Sequence, residues 1–172
     1  MTPIEEHRKQ IQEKLSGKID DVQIIADSRL EIKTSSDNLF EVMTFVAQDL
    51  EFPSLEAISG VDWETHFDVV YHIDRWDGDS TVIQVRVKLD DRDKSQVPSI
   101  TSIWASANWH ERELYDMFGI HVSGHPNLKR LLLPEDWDDY EHKHISELYP
   151  MRRAYTLPEK PFSYKPQPNK EV

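Results

Sequence analysis

A chain of 172 residues with 38% apolar and 10% aromatic content has the length of one domain and the means to build one modest core. Its 32 acidic against 20 basic residues give a formal charge of -12, opposite in sign to the field that draws nucleic acid or anionic lipid. The absence of cysteine excludes disulfides, thiolate catalysis and cysteine-held zinc, haem or iron–sulfur clusters in this chain. No run approaches the roughly 18 to 20 apolar residues that cross a bilayer, and Met1 to Ser16 is charged rather than signal-like, so neither export nor membrane insertion is expected.

Along the chain, Pro3 to Leu15 predicts an amphipathic helix through Ile4, His7, Ile11 and Leu15, ended by Ser16-Gly17. Two short strands follow, one on Val22, Ile24 and Ile25, the next on Leu30 and Ile32. Ser35, Ser36 and Asp37 offer N-caps for a second helix with the stripe Leu39, Met43, Val46 and Leu50. Three runs with a period of two come next. The first carries Leu55, Ala57, Ser59 and Val61, and the second Phe67, Val69, Tyr71 and Ile73. The third carries Ile83, Val85, Val87 and Leu89, reached through the turn residues Trp76-Asp77-Gly78-Asp79. A helical segment begins near Ile100. The order helix, strand, strand, helix, strand, strand, strand predicts an α+β two-layer sandwich, with helices on one face of a largely antiparallel sheet. No G-x-G-x-x-G and no internal repeat supports a nucleotide-binding fold.

The densest segment is ERELYDMFGI, 111–120, with Asn108 placed as a capping-box-like start and Gly119 as a left-handed stop. Glu111, Arg112, Glu113 and Asp116 have two readings. One is a solvated face with weak pairing of Arg112 and Asp116 at i, i+4, which residue chemistry alone favours. The other is a buried polar network in which the planar fork of Arg112 holds carboxylates or loop carbonyls. Trp104, Trp109 and Tyr115 nearby suit a dry interface.

Beyond the helix, His121 and His125, with His142 and His144, suggest a metal site, but Gly124 and Pro126 oppose the helix that would align the first two, and a polar surface loop is the simpler expectation. Asp136, Asp138, Asp139 and Glu141 fit no EF-hand spacing and read as solvated charge or partner contacts. No nucleophile with a base stands in sequence context, although triads are spatial. After Asp136 periodicity ends. Pro150, Pro158, Pro161, Pro166 and Pro168 and the aromatics Tyr149, Tyr155, Phe162 and Tyr164 describe an extended segment. From Met151 onward it carries +3, against -15 for the rest. The expected division is a domain at 1–135, with a signature segment at 108–132, and a partner-wrapping tail at 136–172.

The run Glu111-Arg112-Glu113, two residues, Asp116-Met117-Phe118, six residues, His125, three residues, Lys129, one residue, Leu131-Leu132 resembles, position by position, the signature of the NuoC or NdhJ type subunit of respiratory complex I. WHERELYDMFGI, GHPNLKRLLLPEDW and Tyr149-Pro150-Met151-Arg152-Arg153-Ala154-Tyr155 look like the same family's continuation, and the likeness covers roughly Ile4 to Tyr155. Asp138 to Leu148 looks like an insertion before the Pro-Met-Arg-Arg segment. The resemblance implies a non-catalytic assembly subunit of a peripheral arm that couples electron transfer, to a quinone-like acceptor, to ion pumping. It implies docking on a NuoD or NdhH type large subunit, beside a NuoB or NdhK type small subunit and a NuoI or NdhI type ferredoxin-like subunit. Iron–sulfur clusters would sit in those partners and no cofactor in this chain. Attachment would be peripheral, on the cytoplasmic side of an energy-transducing membrane. Glu111, Arg112, Glu113, Asp116, His125, Lys129, Arg130, Arg152 and Arg153 are the signature residues expected at or near the partner interface. Relatives also occur in energy-converting hydrogenases, sulfane reductases and archaeal deazaflavin dehydrogenases, so donor and acceptor stay open. A free-standing His and carboxylate metal enzyme is the alternative from another class.

Overall fold

The computed structural model describes residues 2–76, 78–134, 137 and 148–156. Helix α1, Pro3–Lys14, starts with a proline whose missing N–H costs nothing at that position, and the Thr2 N–H donates to Glu5 Oε2 at 2.8 Å. Its stripe of Ile4 and Ile11, extended by Leu15 at the C-cap, is buried. Strands β1, Asp21–Ala26, and β2, Arg29–Thr34, form an antiparallel hairpin. Helix α2, Leu39–Gln48, buries Leu39, Val42, Met43 and Val46. Strands β3, Ser54–Asp62, β4, Phe67–Asp74, and β5, Val82–Leu89, run as an antiparallel meander.

The sheet order is β1-β2-β5-β4-β3. The β2–β5 pair is parallel and the others antiparallel, which is the largely antiparallel α+β architecture expected from the pattern. A parallel pair needs a long crossover, here supplied by α2, β3 and β4. Phe67, Val69, Tyr71 and Ile73 on β4 and Ile83, Val85, Val87 and Leu89 on β5 all point to one face and fill the core with the α2 stripe. The alternate residues build a charged ladder on the opposite face. Arg86 donates from Nε to Glu31 Oε1 at 2.8 Å and from Nη1 to Asp68 Oδ2 at 3.0 Å, joining β2, β5 and β4.

The structure departs from the sequence pattern in four places. In β3 a bulge between Leu55 and Ala57 breaks the alternation expected on Leu55, Ala57, Ser59 and Val61, so Ile58 joins Leu55 in the core and Ser59 is exposed. Helix α2 starts at Asn38 rather than on a Ser35, Ser36 or Asp37 side chain: the Leu39 N–H donates to the Ser36 carbonyl at 3.3 Å. Helix α3, Ala107–Phe118, begins earlier than an Asn108 cap allows, with Ser106 at the N-cap, because a turn through Trp104 already directs its carbonyl at the Ala107 N–H, 3.1 Å away. Two strands carry too few residues to show periodicity. They are β6, Gln96–Pro98, and β7, His121–Ser123, which pair in parallel on either side of α3 in the chain. Asp77, Asp136, Asp138, Asp139, Glu141, His142 and His144, most of the insertion-like segment and residues 157–172 of the expected tail lie outside the described residues.

Candidate functional site

Helix α3 packs on β3, and the close approach is made at Gly60, where a Cβ would stand 2.6 Å from the Phe118 ring. Leu114 and Phe118 supply the apolar contact, yet Glu111, Arg112 and Asp116 are buried with them. The solvated-face reading is therefore corrected for these three, while Glu113 is exposed as that reading has it. Three segments remote in sequence, 99–101, 125–133 and 149–153, close over the charged side of the helix.

Asp116 is fully buried and organises the loop that follows the helix. Its Oδ2 accepts the consecutive backbone N–H groups of Leu131, Leu132 and Leu133 at 3.0, 2.7 and 2.9 Å, and its Oδ1 accepts Arg130 Nη1 at 2.8 Å. Burial pushes its carboxyl up, but these N–H bonds and Arg130 outweigh it and hold the group below its ordinary value. Arg112 does not pair with Asp116. It grips the same loop from the other side, donating from Nε to the Lys129 carbonyl at 3.1 Å and from Nη2 to the Arg130 carbonyl at 2.8 Å. One helix turn thus captures both the N–H and the C=O groups of 129–133, satisfying backbone that no strand or helix satisfies. Above it, the Arg112 guanidinium lies over the exposed Trp109 ring at 5.1 Å.

Glu111 fastens the opposite flank. Its Oε1 accepts the Ile100 N–H at 2.7 Å and its Oε2 the Ser99 hydroxyl at 2.7 Å. Burial pushes this carboxyl up, against those two bonds and the nearby His125. His125 is not a surface histidine: its side chain is fully enclosed, 3.9 Å from Glu111, with Nε2 3.2 Å from the Asn108 carbonyl and Nδ1 accepting the Asn127 N–H at 3.0 Å. Those partners assign the proton to Nε2. His121 is exposed on β7, away from this enclosure, and no group of three or more potential metal-binding side chains occurs among the described residues.

The third closure comes from 148–156. Gly119 ends α3 in the left-handed conformation at φ 69°, as its sequence position announces, and a Cβ there would sit 2.4 Å from the Tyr149 ring. The Met151 N–H donates to the Met117 carbonyl at 3.1 Å, and Arg152 Nε to the Phe118 carbonyl at 2.7 Å, so this segment caps the last turn of α3. Beside it, Arg92 makes a two-point ion pair with Asp62 (Nη2 to Oδ2, 3.0 Å) and lies over Phe67 at 4.2 Å. Asp62 also accepts the Arg153 N–H at 2.9 Å, and Arg92 foremost holds it well below the carboxylate range. Arg153 is exposed and reaches Glu64 at 3.1 Å.

Of the signature residues, Glu111, Arg112, Asp116, His125, Arg130 and Arg152 converge on α3, whereas Glu113, the Lys129 side chain and Arg153 face outward. Ser99, Ile100, Asp62 and Arg92 were not legible as members of the site. They come from β-sheet ends and turns whose proximity only the fold creates. The buried charges of α3, on Glu111, Arg112 and Asp116, are directed at backbone, hydroxyl or opposite charge. The product is a rigid loop and a rigid segment held on one end of the molecule.

Residues 32–161 match the model of the family described as respiratory-chain NADH dehydrogenase, 30 Kd subunit. An NADH-quinone oxidoreductase subunit from Roseiflexus sp. (strain RS-1) is 40% identical over 116 residues, covering 64% of this chain and 66% of that protein. The chain thus spans about two thirds of the length of the curated relatives it matches. Among solved structures, a chain of the membrane-bound sulfane sulfur reductase, an archaeal respiratory membrane complex, superposes with a TM-score of 0.72 at 26% identity, covering 89% of this chain and 85% of that one. The trypsin-resistant fragment of Nqo5 superposes with a TM-score of 0.60 at 29% identity, covering 73% of this chain and 98% of that one. With the signature helix, its clasped loop and strands β3, β4 and β5 all inside the matched span, the chain belongs to the respiratory-chain NADH dehydrogenase 30 kDa subunit family.

Proposed function

We propose that this chain is a non-catalytic assembly subunit in the peripheral arm of a complex-I-like, membrane-bound oxidoreductase that passes electrons to a quinone-like acceptor and pumps ions. It docks on a NuoD or NdhH type large subunit, beside NuoB or NdhK type and NuoI or NdhI type chains that carry the iron–sulfur clusters. It is held at the cytoplasmic side of the membrane through them. Among the described residues no helix is long and apolar enough to cross a membrane. The observation that carries the reading is the family match over 32–161, which contains the whole clasp built on α3. Two features support it. The buried charges of α3 are directed at positioning backbone, and the chain contains no cysteine with which to hold a cluster. The proline-rich C-terminal segment would extend the contact along a neighbour. Fixing it costs about 1 to 2 kcal/mol per residue in backbone entropy, which contact area must offset.

The likeness to the sulfane sulfur reductase chain, at a TM-score of 0.72, favours one further reading. The same assembly role would then serve a sulfane reductase, hydrogenase or deazaflavin-linked complex, with donor and acceptor set by other chains. Both readings are tested by purifying the affinity-tagged chain from gently solubilised membranes and identifying its companions by mass spectrometry. Stoichiometric cluster-bearing oxidoreductase subunits are expected, and their names settle which complex it is. A chain that purifies alone, with catalytic activity of its own, would contradict both.

A further inference from the structure

The arginines around the end of α3 differ in one respect. Arg92 holds Asp62, Arg130 holds Asp116 and Arg153 holds Glu64. Arg152 is only 9% exposed, its guanidinium lying 4.6 Å from the centre of the Tyr149 ring and 5.1 Å from that of Phe67. Its Nε is used on the Phe118 carbonyl. Among the described residues neither Nη group has an acceptor and no carboxylate lies within ion-pair distance, while both Nη groups keep contact with solvent. A fork with its stem sealed between aromatic rings and its outer edge open is pre-oriented to receive a planar anion at two points.

Two neutral carbonyls satisfy Arg112, but Arg152 has one, and burial foremost works against its charge, with Arg92 adding to that and Tyr149, Asp62 and Asp93 offsetting it only in part. A cation so placed gains more from an anion than from another carbonyl, and loses little further solvation when one arrives. We propose that the open Nη edge of Arg152 is the anchoring point for a carboxylate, a Glu or Asp side chain of the adjoining oxidoreductase subunit. This rests on the assembly reading above. It adds that the contact is a two-point ion pair built on the Tyr149 and Phe67 rings, at the end of the molecule where 148–156 closes over α3.

The test uses the full chain and the companion subunit identified with it, comparing wild type with Arg152→Gln and Arg152→Lys. Gln retains a donor for the Phe118 carbonyl but has neither charge nor fork, and Lys retains the charge without the fork. Melting of each isolated chain reports folding, and binding to the companion is measured across a range of KCl concentrations. Arg152→Gln is expected to bind about 30-fold more weakly, the loss of one charge-assisted contact, with a flatter dependence on salt. Arg152→Lys is expected to fall between the two, keeping the salt dependence. If Arg152→Gln does not fold, the Lys variant decides: weaker binding by a folded chain supports the anchor. Wild-type affinity and salt dependence in a folded variant would overturn the anchor while leaving the assembly role intact. Isolation of the wild-type chain without any companion would overturn both.

Discussion

Asp116 concentrates more of the local architecture than any other side chain, because three backbone N–H groups and one guanidinium converge on its two oxygens. Asp116→Asn keeps the shape but turns an amide donor or a neutral oxygen toward donors, and withdraws the buried carboxylate that Arg130 Nη1 holds. A loss of about 3 kcal/mol is expected, a drop of roughly 10 °C in melting temperature for a chain of this size. The pH dependence has a definite sign. Asp116 and Asp62 are held below their ordinary values, so the stability they add is present above about pH 4 and disappears as the pH falls through their folded values. Glu111 is shifted the other way, so its contribution is complete below the ordinary carboxylate pKa and is lost as the pH rises through its folded value. Thermal melts across pH 3 to 8 should therefore show a weaker acid limb in Asp116→Asn. Glu111→Gln should lose the decline that accompanies Glu111 ionisation. Unchanged profiles would contradict the assignments. That these charges would be buried was not legible from residue chemistry, since Ser99, Arg130 and Tyr149 meet them only through the fold.

At the scale of elements, much was legible because periodicity carries it. The α2 stripe and the alternation of β4 and β5 place their core residues where the sequence puts them. What failed has local causes. Strands β6 and β7 have three residues each, below the length at which alternation is visible, and the start of α3 is set by a preceding turn rather than by a capping side chain. Gly119 was readable because a left-handed C-cap has a sequence signature, but its second role was not: it leaves room for Tyr149. Gly119→Ala adds backbone strain and a clash at once, and about 3 kcal/mol of destabilisation is expected. Gly124→Ala shares a positive φ, with nothing within 4 Å of the added Cβ, and serves as the control for strain alone. Limited proteolysis separates them: trypsin should cut at Arg152 and Arg153 much faster in Gly119→Ala than in Gly124→Ala. Equal rates would mean that Tyr149 does not lock 148–156 onto the helix.

For the whole molecule, the sequence disclosed the family through a signature whose members the fold then divides into two sets. The buried set, Glu111, Arg112, Asp116, His125 and Arg130, shapes the chain itself, while Glu113, Lys129 and Arg153 are exposed on the same clasped end. Composition had moved the chain away from nucleic acid and from holding its own clusters, but it could not say where a partner would sit. We propose that it sits on the clasped end, where Trp109 and Leu132, exposed large apolar side chains, stand beside the outward charges. The proposal that this end is the assembly face is tested most directly by carbodiimide cross-linking of the intact complex followed by mass spectrometry. Cross-links from Glu113 and Lys129 to the large subunit are the result the proposal requires. Both side chains remaining unlinked, while Lys33 and Lys88 on the opposite face of the sheet link to that subunit instead, would contradict it.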